Sequence, residues 1–130
     1  MRQRVSANRP WENVVGYSRA VRVGNIIEVS GTAAADADGT IIAPGDVEGQ
    51  AREALRIIGE ALRELGASYQ DVVRTRVLMA DASRWEEAGR AHGEVFRYIR
   101  PATIVVGVGG FLDPAILVEV EATAILEDAG

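Results

Sequence analysis

The sequence contains no cysteine and no lysine, and it has a single histidine, His92. Without cysteine there can be no disulfide, no thiolate nucleophile and no thiolate metal ligand. Without lysine, catalysis through a Schiff base on the protein, including lysine-anchored pyridoxal phosphate, is chemically impossible. One histidine cannot form a two-histidine acid–base pair, and no ligand spacing for a metal surrounds it. We therefore expect neither a metal nor a cofactor.

Long apolar runs are also missing. No segment approaches the ~18–20 apolar residues that a membrane-spanning helix needs, and no apolar stretch of a signal peptide follows the charged first residues. These absences predict a cytoplasmic protein with no membrane partner. The basic residues number 14, all of them arginine, and the net charge is −5. Because neutralising phosphates dominates affinity for nucleic acids, this charge argues against a nucleic-acid partner.

With 130 residues and 48% hydrophobic content, the chain is predicted to form one domain, residues 1–130. Residues 14–23 and 26–31 are predicted strands of a hairpin, joined by a turn at Gly24-Asn25. A short extended piece is expected at residues 40–43.

Two helices follow in the pattern. The first begins after Asp46 and ends at Gly66, because Asp46 can cap it and glycine suits its C-terminal stop. Its apolar positions have helical spacing: Val47, Ala51, Ala54, Leu55, Ile58, Ala61, Leu62 and Leu65. Ser83 and Glu86 predict a capping box at the start of the second helix, which ends before Pro101. Its predicted buried side consists of Trp85, Ala88, Val95, Phe96 and Ile99.

Three more strands are predicted, at residues 71–80, 102–109 and 116–126. In the last of them Glu119 and Glu121 alternate with valines, so the strand has one apolar and one acidic face. The element order predicts an α+β fold with an antiparallel or mixed sheet and two helices on one face. The opposite face is uncovered and partly apolar, which implies a partner.

Several separated motifs, in this order, make residues 14–126 resemble the Rid (YjgF-type) family: Gly16-Tyr17, Gly24-Asn25 to Ser30-Gly31, Asp71-Val-Val-Arg-Thr-Arg-Val, Arg100-Pro-Ala and Leu117-Val-Glu119-Val-Glu121. The resemblance implies a chorismate-mutase-like (ferredoxin-like) fold that assembles as a homotrimer, with a small-molecule ligand in clefts between subunits. The best-known branch of the family hydrolyses reactive enamines and imines and releases ammonia.

The resemblance also implies site residues. Glu119 matches the family's active-site carboxylate, and Tyr17 and Ser30 match positions that line the cleft; we predict catalytic roles for these three. Gly31 permits close approach of a ligand to the backbone. Glu121 matches no catalytic role and is expected to be a surface or interface charge.

Thr103 departs from the family pattern. It and Val105 match substrate-binding positions, where the better-known branch has a carboxylate-binding arginine and a small residue or cysteine. A threonine hydroxyl cannot reproduce the paired hydrogen bonds of a guanidinium, so typical 2-imino-acid deaminase activity is expected to be weak or lost. An arginine elsewhere could replace it, and Arg76 is the predicted candidate, with Arg74 and Arg100 as others.

Alternatives remain open at this stage. The residues alone favour an interface salt bridge between Glu119 and Arg74 or Arg76, and a buried structural role for His92. The expected function is hydrolysis or tautomerisation of a small enamine, imine or enol. The alternatives are a non-catalytic ligand-binding or chaperone-like trimer, and a plain interaction protein.

Overall fold

The computed structural model describes residues 1–127. Six strands and three helices follow one another as β1 (Arg2–Val5), α1 (Glu12–Val15), β2 (Ala20–Val23), β3 (Ile26–Thr32), α2 (Val47–Glu64), β4 (Val72–Met79), α3 (Trp85–Phe96), β5 (Ala102–Gly107) and β6 (Val118–Ile125). Short 3-10 turns at Tyr69–Asp71 and Ala82–Arg84 precede β4 and α3. The α+β class predicted from the sequence is confirmed.

All six strands form one sheet in the order β1-β2-β3-β6-β4-β5. Every neighbouring pair is antiparallel except β4 and β5, which run parallel. Helix α3 connects these two parallel strands, and a crossover of this length is what parallel neighbours require. The sheet is therefore mixed, one of the two arrangements that the sequence predicts.

Helix α2 forms as expected. The Asp46 carboxylate accepts a hydrogen bond from the Gly49 N–H at 2.8 Å and caps the first turn. Gly66 follows the helix with a φ of +83°, a left-handed conformation that favours glycine. All eight predicted apolar positions are buried. They pack against β3 and β6 and form the centre of the core together with the apolar faces of those strands.

The predicted start of α3 is wrong. Asp81, two residues before Ser83, accepts hydrogen bonds from the Ser83 N–H at 3.0 Å and from its hydroxyl at 2.7 Å. This local carboxylate outcompetes the Ser83–Glu86 capping box and produces a 3-10 turn before the helix. Trp85 is consequently on the outer side and is 54% exposed. The other predicted positions of α3 are buried or packed against the core.

The expected strand over residues 14–23 is also wrong in its first half. Residues 12–15 form the short helix α1, which ends at Gly16 with a φ of +81°. Its Glu12 carboxylate accepts hydrogen bonds from the N–H groups of Ala7 and Asn8 and from the Ser6 hydroxyl. These bonds hold the N-terminal segment against α1, so β2 begins only at Ala20. The sequence analysis also missed β1.

The sheet has a helix-covered face and an open face. Val118, Val120, Ala122 and Ala124 of β6 are buried on the covered face, while Glu119 and Glu121 lie on the other. The open face also includes three partly exposed apolar side chains, Ile26, Ile104 and Ile125. The expected extended piece at residues 40–43 is reduced to one bridge between Ile41 and Ala35. Within residues 1–127, no helix has both the length and the apolarity that crossing a membrane requires.

Candidate functional site

A cavity of about 300 Å³ opens beside β6 on the side of the sheet that the helices leave uncovered. Its lining combines two guanidinium groups, two carboxylates, a phenol, a hydroxyl and an apolar rim. The residues are Arg9, Trp11, Val15, Tyr17, Arg19, Ser30, Gly31, Ala33, Ala35, Leu112, Ile116, Glu119 and Glu121. The cavity brings together four of the seven site residues predicted from the sequence: Tyr17, Ser30, Gly31 and Glu119.

Glu119 is half-buried on the cavity wall, directly above Gly31. A Cβ atom placed on Gly31 would lie 2.7 Å from Oε1 of Glu119, so the carboxylate occupies the space that a side chain would fill. Burial raises the pKa of Glu119, the nearby Arg19 guanidinium lowers it and Glu121 raises it. Because burial dominates, the pKa of Glu119 lies above its ordinary value.

Within the described chain Glu119 forms no salt bridge with Arg74 or Arg76. Cross-strand register places Leu78 opposite Glu119, and it places Arg76 opposite Glu121. Arg76 and Glu121 accordingly form an ion pair on this face, at 3.7 Å. A salt bridge of Glu119 across a subunit interface stays a prediction.

Ser30 and Gly31 occupy a β-bulge. Strand β3 carries one extra residue relative to β6 between Val29 and Thr32, so both bulge residues lie opposite Glu121. Bulges re-aim side chains and let strands bend at functional sites. Here the bulge places Ser30 and Gly31 side by side on the cavity wall, while Thr32 returns to the buried side of the strand.

The Ser30 hydroxyl donates its proton to the backbone carbonyl of Ser18 at 2.6 Å. A hydroxyl has one proton and two lone pairs, so Ser30 can offer a ligand only acceptor capacity in this conformation. It can therefore accept a hydrogen bond from a ligand N–H, and because its own proton is directed at a carbonyl it is not activated as a nucleophile.

Tyr17 and Arg19 form the wall next to the bulge. The Arg19 guanidinium carbon lies 6.0 Å from the centre of the Tyr17 ring, at the outer limit of a cation–π contact. Arg19 is only 6% exposed, and its Nη1 donates to the Gly31 carbonyl and the Thr32 hydroxyl, both at 3.0 Å. The sequence analysis missed Arg19. The sequence did offer one signal for Arg19: it lies two residues after Tyr17 and directly before Ala20, a buried residue of β2.

Thr103, Val105 and Arg76 do not line this cavity. Thr103 pairs with Thr75 across the parallel strands, and their hydroxyls are 2.8 Å apart. Since Thr75 is fully buried on the helix-covered face, Thr103 and Val105 lie toward that face at the exposed edge of the sheet. Arg76 is on the open face beside Glu121, outside the cavity.

His92 contacts the same hydroxyl pair. Its Nε2 lies 2.8 Å from the Thr75 hydroxyl, and its ring packs on Phe96 with centroids 4.7 Å apart. Burial lowers the pKa of His92, so the ring is neutral at pH 7. This satisfied, partly buried position agrees with the structural role expected for it. No group of three or more histidine, aspartate or glutamate side chains within residues 1–127 could hold a metal ion.

The mixed sheet, the two covering helices and the carboxylate above a glycine bulge define a class of small α+β proteins. The family described as Endoribonuclease L-PSP matches residues 7–126 of the chain. The chain therefore belongs to this family, the YjgF/Rid family that the sequence motifs indicated.

Named relatives cover nearly the whole chain. It is 38% identical over 122 residues to the uncharacterized protein SCO2049 of Streptomyces coelicolor, covering 94% of this chain and 90% of the relative. It is 30% identical over 125 residues to the 2-iminobutanoate/2-iminopropanoate deaminase of Mus musculus, covering 96% and 92% respectively. A small-molecule role of the enamine/imine deaminase type is the general function that this family supports.

The fold agrees with solved structures of the family. The crystal structure of Rv2704 from Mycobacterium tuberculosis, a member of the YjgF/YER057c/UK114 family, superposes with a TM-score of 0.86. It is 43% identical to this chain, and the match covers 97% of this chain and all of Rv2704. The expected fold of the resembled family is thereby confirmed.

Proposed function

We propose that this protein hydrolyses small imines or enamines, releasing ammonia, and that Glu119 transfers the protons. The observation that carries the proposal is the position of Glu119: it is desolvated, has no ion-pair partner in the described chain, and lines a cavity together with Tyr17 and Ser30. A carboxyl group with a raised pKa can act as an acid in one step and as a base in the next at near-neutral pH.

The steps balance with water as the only co-reactant. Protonated Glu119 donates its proton to the β-carbon of an enamine, and the resulting carboxylate faces an iminium ion. The carboxylate then removes a proton from water as the water oxygen attacks the iminium carbon, which forms a carbinolamine. Transfer of that proton to the amine nitrogen lets ammonia leave, and the carbinolamine hydroxyl gives its proton to the Glu119 carboxylate as the carbonyl product forms. An imine substrate enters at the second step as its iminium ion, with Glu119 ionised.

The neighbouring residues hold the substrate. Tyr17 forms a flat wall suited to a planar imine, and Ser30 accepts a hydrogen bond from the substrate N–H. The absent side chain of Gly31 leaves room for the Glu119 carboxylate. A water-poor cavity strengthens each of these contacts, because the local dielectric constant is lower than in bulk water.

We further propose that the protein is a homotrimer whose clefts include this cavity. Support comes from the partly apolar open face and from the exposed edge strand β5. Thr103 and Val105 face away from Glu119 of their own chain, so they could contact a ligand only in the cavity of a neighbouring subunit. Arg76 would lie at the seam, paired with Glu121. Thr103 would bring no guanidinium to that cleft, so carboxylate capture at its position would be weak or lost.

The test is ammonia release from freshly generated imines by the wild type and by Glu119→Gln. The variant is expected to lose about 10²–10⁴-fold in kcat, the usual contribution of general acid–base catalysis. For the wild type, kcat/KM should fall on acidification through a pKa above the ordinary 4.5 of glutamate, and the variant should lack this fall. Equal rates for both proteins would contradict the proposal and favour a non-catalytic ligand-binding role.

A further inference from the structure

Arg19 is a buried cation that no carboxylate of the described chain contacts directly, although Glu119 lies near enough to raise its pKa. It is 6% exposed, and among residues 1–127 no aspartate or glutamate oxygen lies within ion-pair distance of its guanidinium. Burial lowers the pKa of Arg19, yet a guanidinium remains charged at neutral pH. A buried charge is costly unless it is paired and hydrogen-bonded. Such a residue on a cavity wall points to an anion that the free protein lacks.

The Arg19 guanidinium also has unused donors. Its hydrogen bonds within the described chain use Nη1 alone, toward the Gly31 carbonyl and the Thr32 hydroxyl. These two bonds fix the plane of the guanidinium. The Nε and Nη2 donors make no hydrogen bond of standard geometry within residues 1–127, although the neighbouring Tyr17 hydroxyl interacts with the guanidinium and raises the pKa of Arg19. Arg19 also lines the cavity. An arginine presents donors in a rigid fork, so two remaining N–H groups match the two oxygens of a carboxylate.

The other arginines near the cavity are more fully engaged, since Arg9 uses three of its five N–H donors on backbone carbonyls and Arg19 uses two in its hydrogen bonds to β3. Arg9 donates through both terminal nitrogens to the backbone carbonyls of Ala7, Asn8 and Ala35. Arg76 is outside the cavity and 3.7 Å from Glu121. Arg9 therefore adds positive charge to the wall, whereas Arg19 is the group equipped to bind an anion directly.

The two carboxylates of the cavity do not prevent this. Glu121 is paired with Arg76 at 3.7 Å, and Glu119 makes no ion pair with Arg19 within residues 1–127. An anion held by Arg19 would face the guanidinium groups of Arg9 and Arg19 as well as the Glu119 carboxyl group. This mixture of charges in the cavity favours a monoanion over a more highly charged ligand.

We propose that Arg19 is the residue that binds the substrate carboxylate, and that it makes the site selective for imines and enamines next to a carboxylate. This inference rests on the proposed function. Arg19 would replace, from the start of β2 in the same chain, the guanidinium that Thr103 cannot supply. It would position the substrate with its carbon–nitrogen double bond toward Glu119 and Ser30, both of which line the same cavity.

The experiment compares two imines of matched size. One is 2-iminobutanoate, formed by oxidising 2-aminobutanoate; the other is the imine of butan-2-one, formed by oxidising 2-aminobutane, in which a methyl group replaces the carboxylate. Ammonia release above the uncatalysed rate is measured for the wild type, Arg19→Gln, Arg19→Lys and Arg4→Gln. Arg4 is an exposed residue of β1 that does not line the cavity, so its substitution removes one positive charge without touching the cavity wall.

Arg19→Gln is expected to lower kcat/KM for 2-iminobutanoate at least about tenfold through KM, since a charge-assisted contact is lost. Arg19→Gln should hydrolyse the imine of butan-2-one as fast as the wild type does, and Arg4→Gln should match the wild type on both imines. Arg19→Lys keeps the charge and loses the paired N–H donors, so its kcat/KM for 2-iminobutanoate should lie between those of the wild type and Arg19→Gln. Equal loss on both imines, or no loss on either, would overturn the role of Arg19. If Arg19→Gln fails to fold by circular dichroism, the same criterion is applied to Arg19→Lys.

Calorimetric titration separates this inference from the proposed function. The wild type should bind 2-oxobutanoate and not butan-2-one, and Arg19→Gln should weaken 2-oxobutanoate binding at least about tenfold. This pattern in a protein that hydrolyses neither imine would support Arg19 and refute the deaminase proposal. Failure of the wild type to bind 2-oxobutanoate, or equal binding by wild type and variant, would overturn the role of Arg19 even if hydrolysis is found.

Discussion

Glu119 and Gly31 depend on one another at the scale of single residues. The carboxylate has its place because Gly31 has no side chain, and a Cβ there would approach Oε1 to 2.7 Å. The obstructing atom is the end of a flexible side chain, so the backbone has no need to move. A side chain added at Gly31 should therefore move the Glu119 carboxylate and leave the fold intact.

Gly31→Ala is expected to displace Glu119 from the cavity wall and to reduce kcat about 10²-fold, as a misplaced catalytic group does, with little change in thermal stability. Imine hydrolysis and thermal unfolding are the measurements. Gly93→Ala is the matched control, since Gly93 is in α3 and a Cβ there meets no atom within 4 Å. That variant should keep its activity and gain about 0.5–1 kcal/mol of stability. Full activity of Gly31→Ala would show that the carboxylate is not needed in its observed place.

Elements differ in how far the sequence predicts them. Helix α2 has a capping aspartate and an unbroken apolar stripe, so local chemistry and tertiary packing agree and the helix was predicted correctly. In residues 12–15, local preference and tertiary contacts disagree. Val14 and Val15 favour a strand by composition, but the Glu12 carboxylate accepts hydrogen bonds from the N–H groups of Ala7 and Asn8, and a helical turn forms. A contact between segments decides the structure there, and periodicity carries no signal of it.

Residues of the site likewise differ in whether local sequence or contacts between segments determine their place. Tyr17, Ser30 and Glu119 were indicated by motifs, and the structure places them around one cavity. Arg19 was missed because nothing local reveals that its side chain reaches the Gly31 carbonyl and the Thr32 hydroxyl of β3. Placing Thr103 and Val105 required knowing that β5 pairs in parallel with β4, which sets the face to which they point.

Gln50 connects helix α2 to the loop before β6. Its side chain is fully buried, donates to the carbonyls of Ala43 and Ala115, and accepts from the Leu117 N–H at 2.9 Å. That loop supplies Leu112 and Ile116 to the cavity rim. One helical side chain therefore positions a part of the site that has no regular structure of its own.

Gln50→Leu is expected to lower the free energy of unfolding by about 2–4 kcal/mol, because it leaves buried backbone groups without partners. Urea denaturation measures this change, and a raised KM should accompany it as the loop loosens. Arg63→Gln, an exposed change on the same helix, serves as the control and should alter stability by less than about 0.5 kcal/mol. Unchanged stability of Gln50→Leu would mean that water replaces the lost hydrogen bonds.

The open face of the sheet is the feature that matters for the whole molecule. It carries partly exposed isoleucines between charged side chains, and Ile104 of β5 is 46% exposed there, opposite Arg76. Apolar side chains on a sheet face favour association, since burying them removes apolar area from water. The proposed trimer would cover this face.

Light scattering on the purified protein is expected to give about three times the chain mass of 13.9 kDa. Ile104→Arg should shift the population toward monomer, because it adds a charge next to Arg76 on the surface to be buried. Tyr98→Arg is the control: Tyr98 is 91% exposed just after α3, and its substitution should leave the mass unchanged. A wild-type mass equal to one chain would refute the trimer.

The bulge in β3 has a consequence for how this scaffold can diversify. Because the extra residue is confined to positions 30 and 31, Thr32 keeps its pairing with Val120 whichever side chains stand before it. Strand β3 thus carries its cavity-wall residues, Ser30 and Gly31, and its buried residue Thr32 at separate positions. A different side chain at position 30 could therefore change what the cavity accepts without repacking the interior beneath it, whereas position 31 must stay glycine as long as Glu119 occupies the space above it.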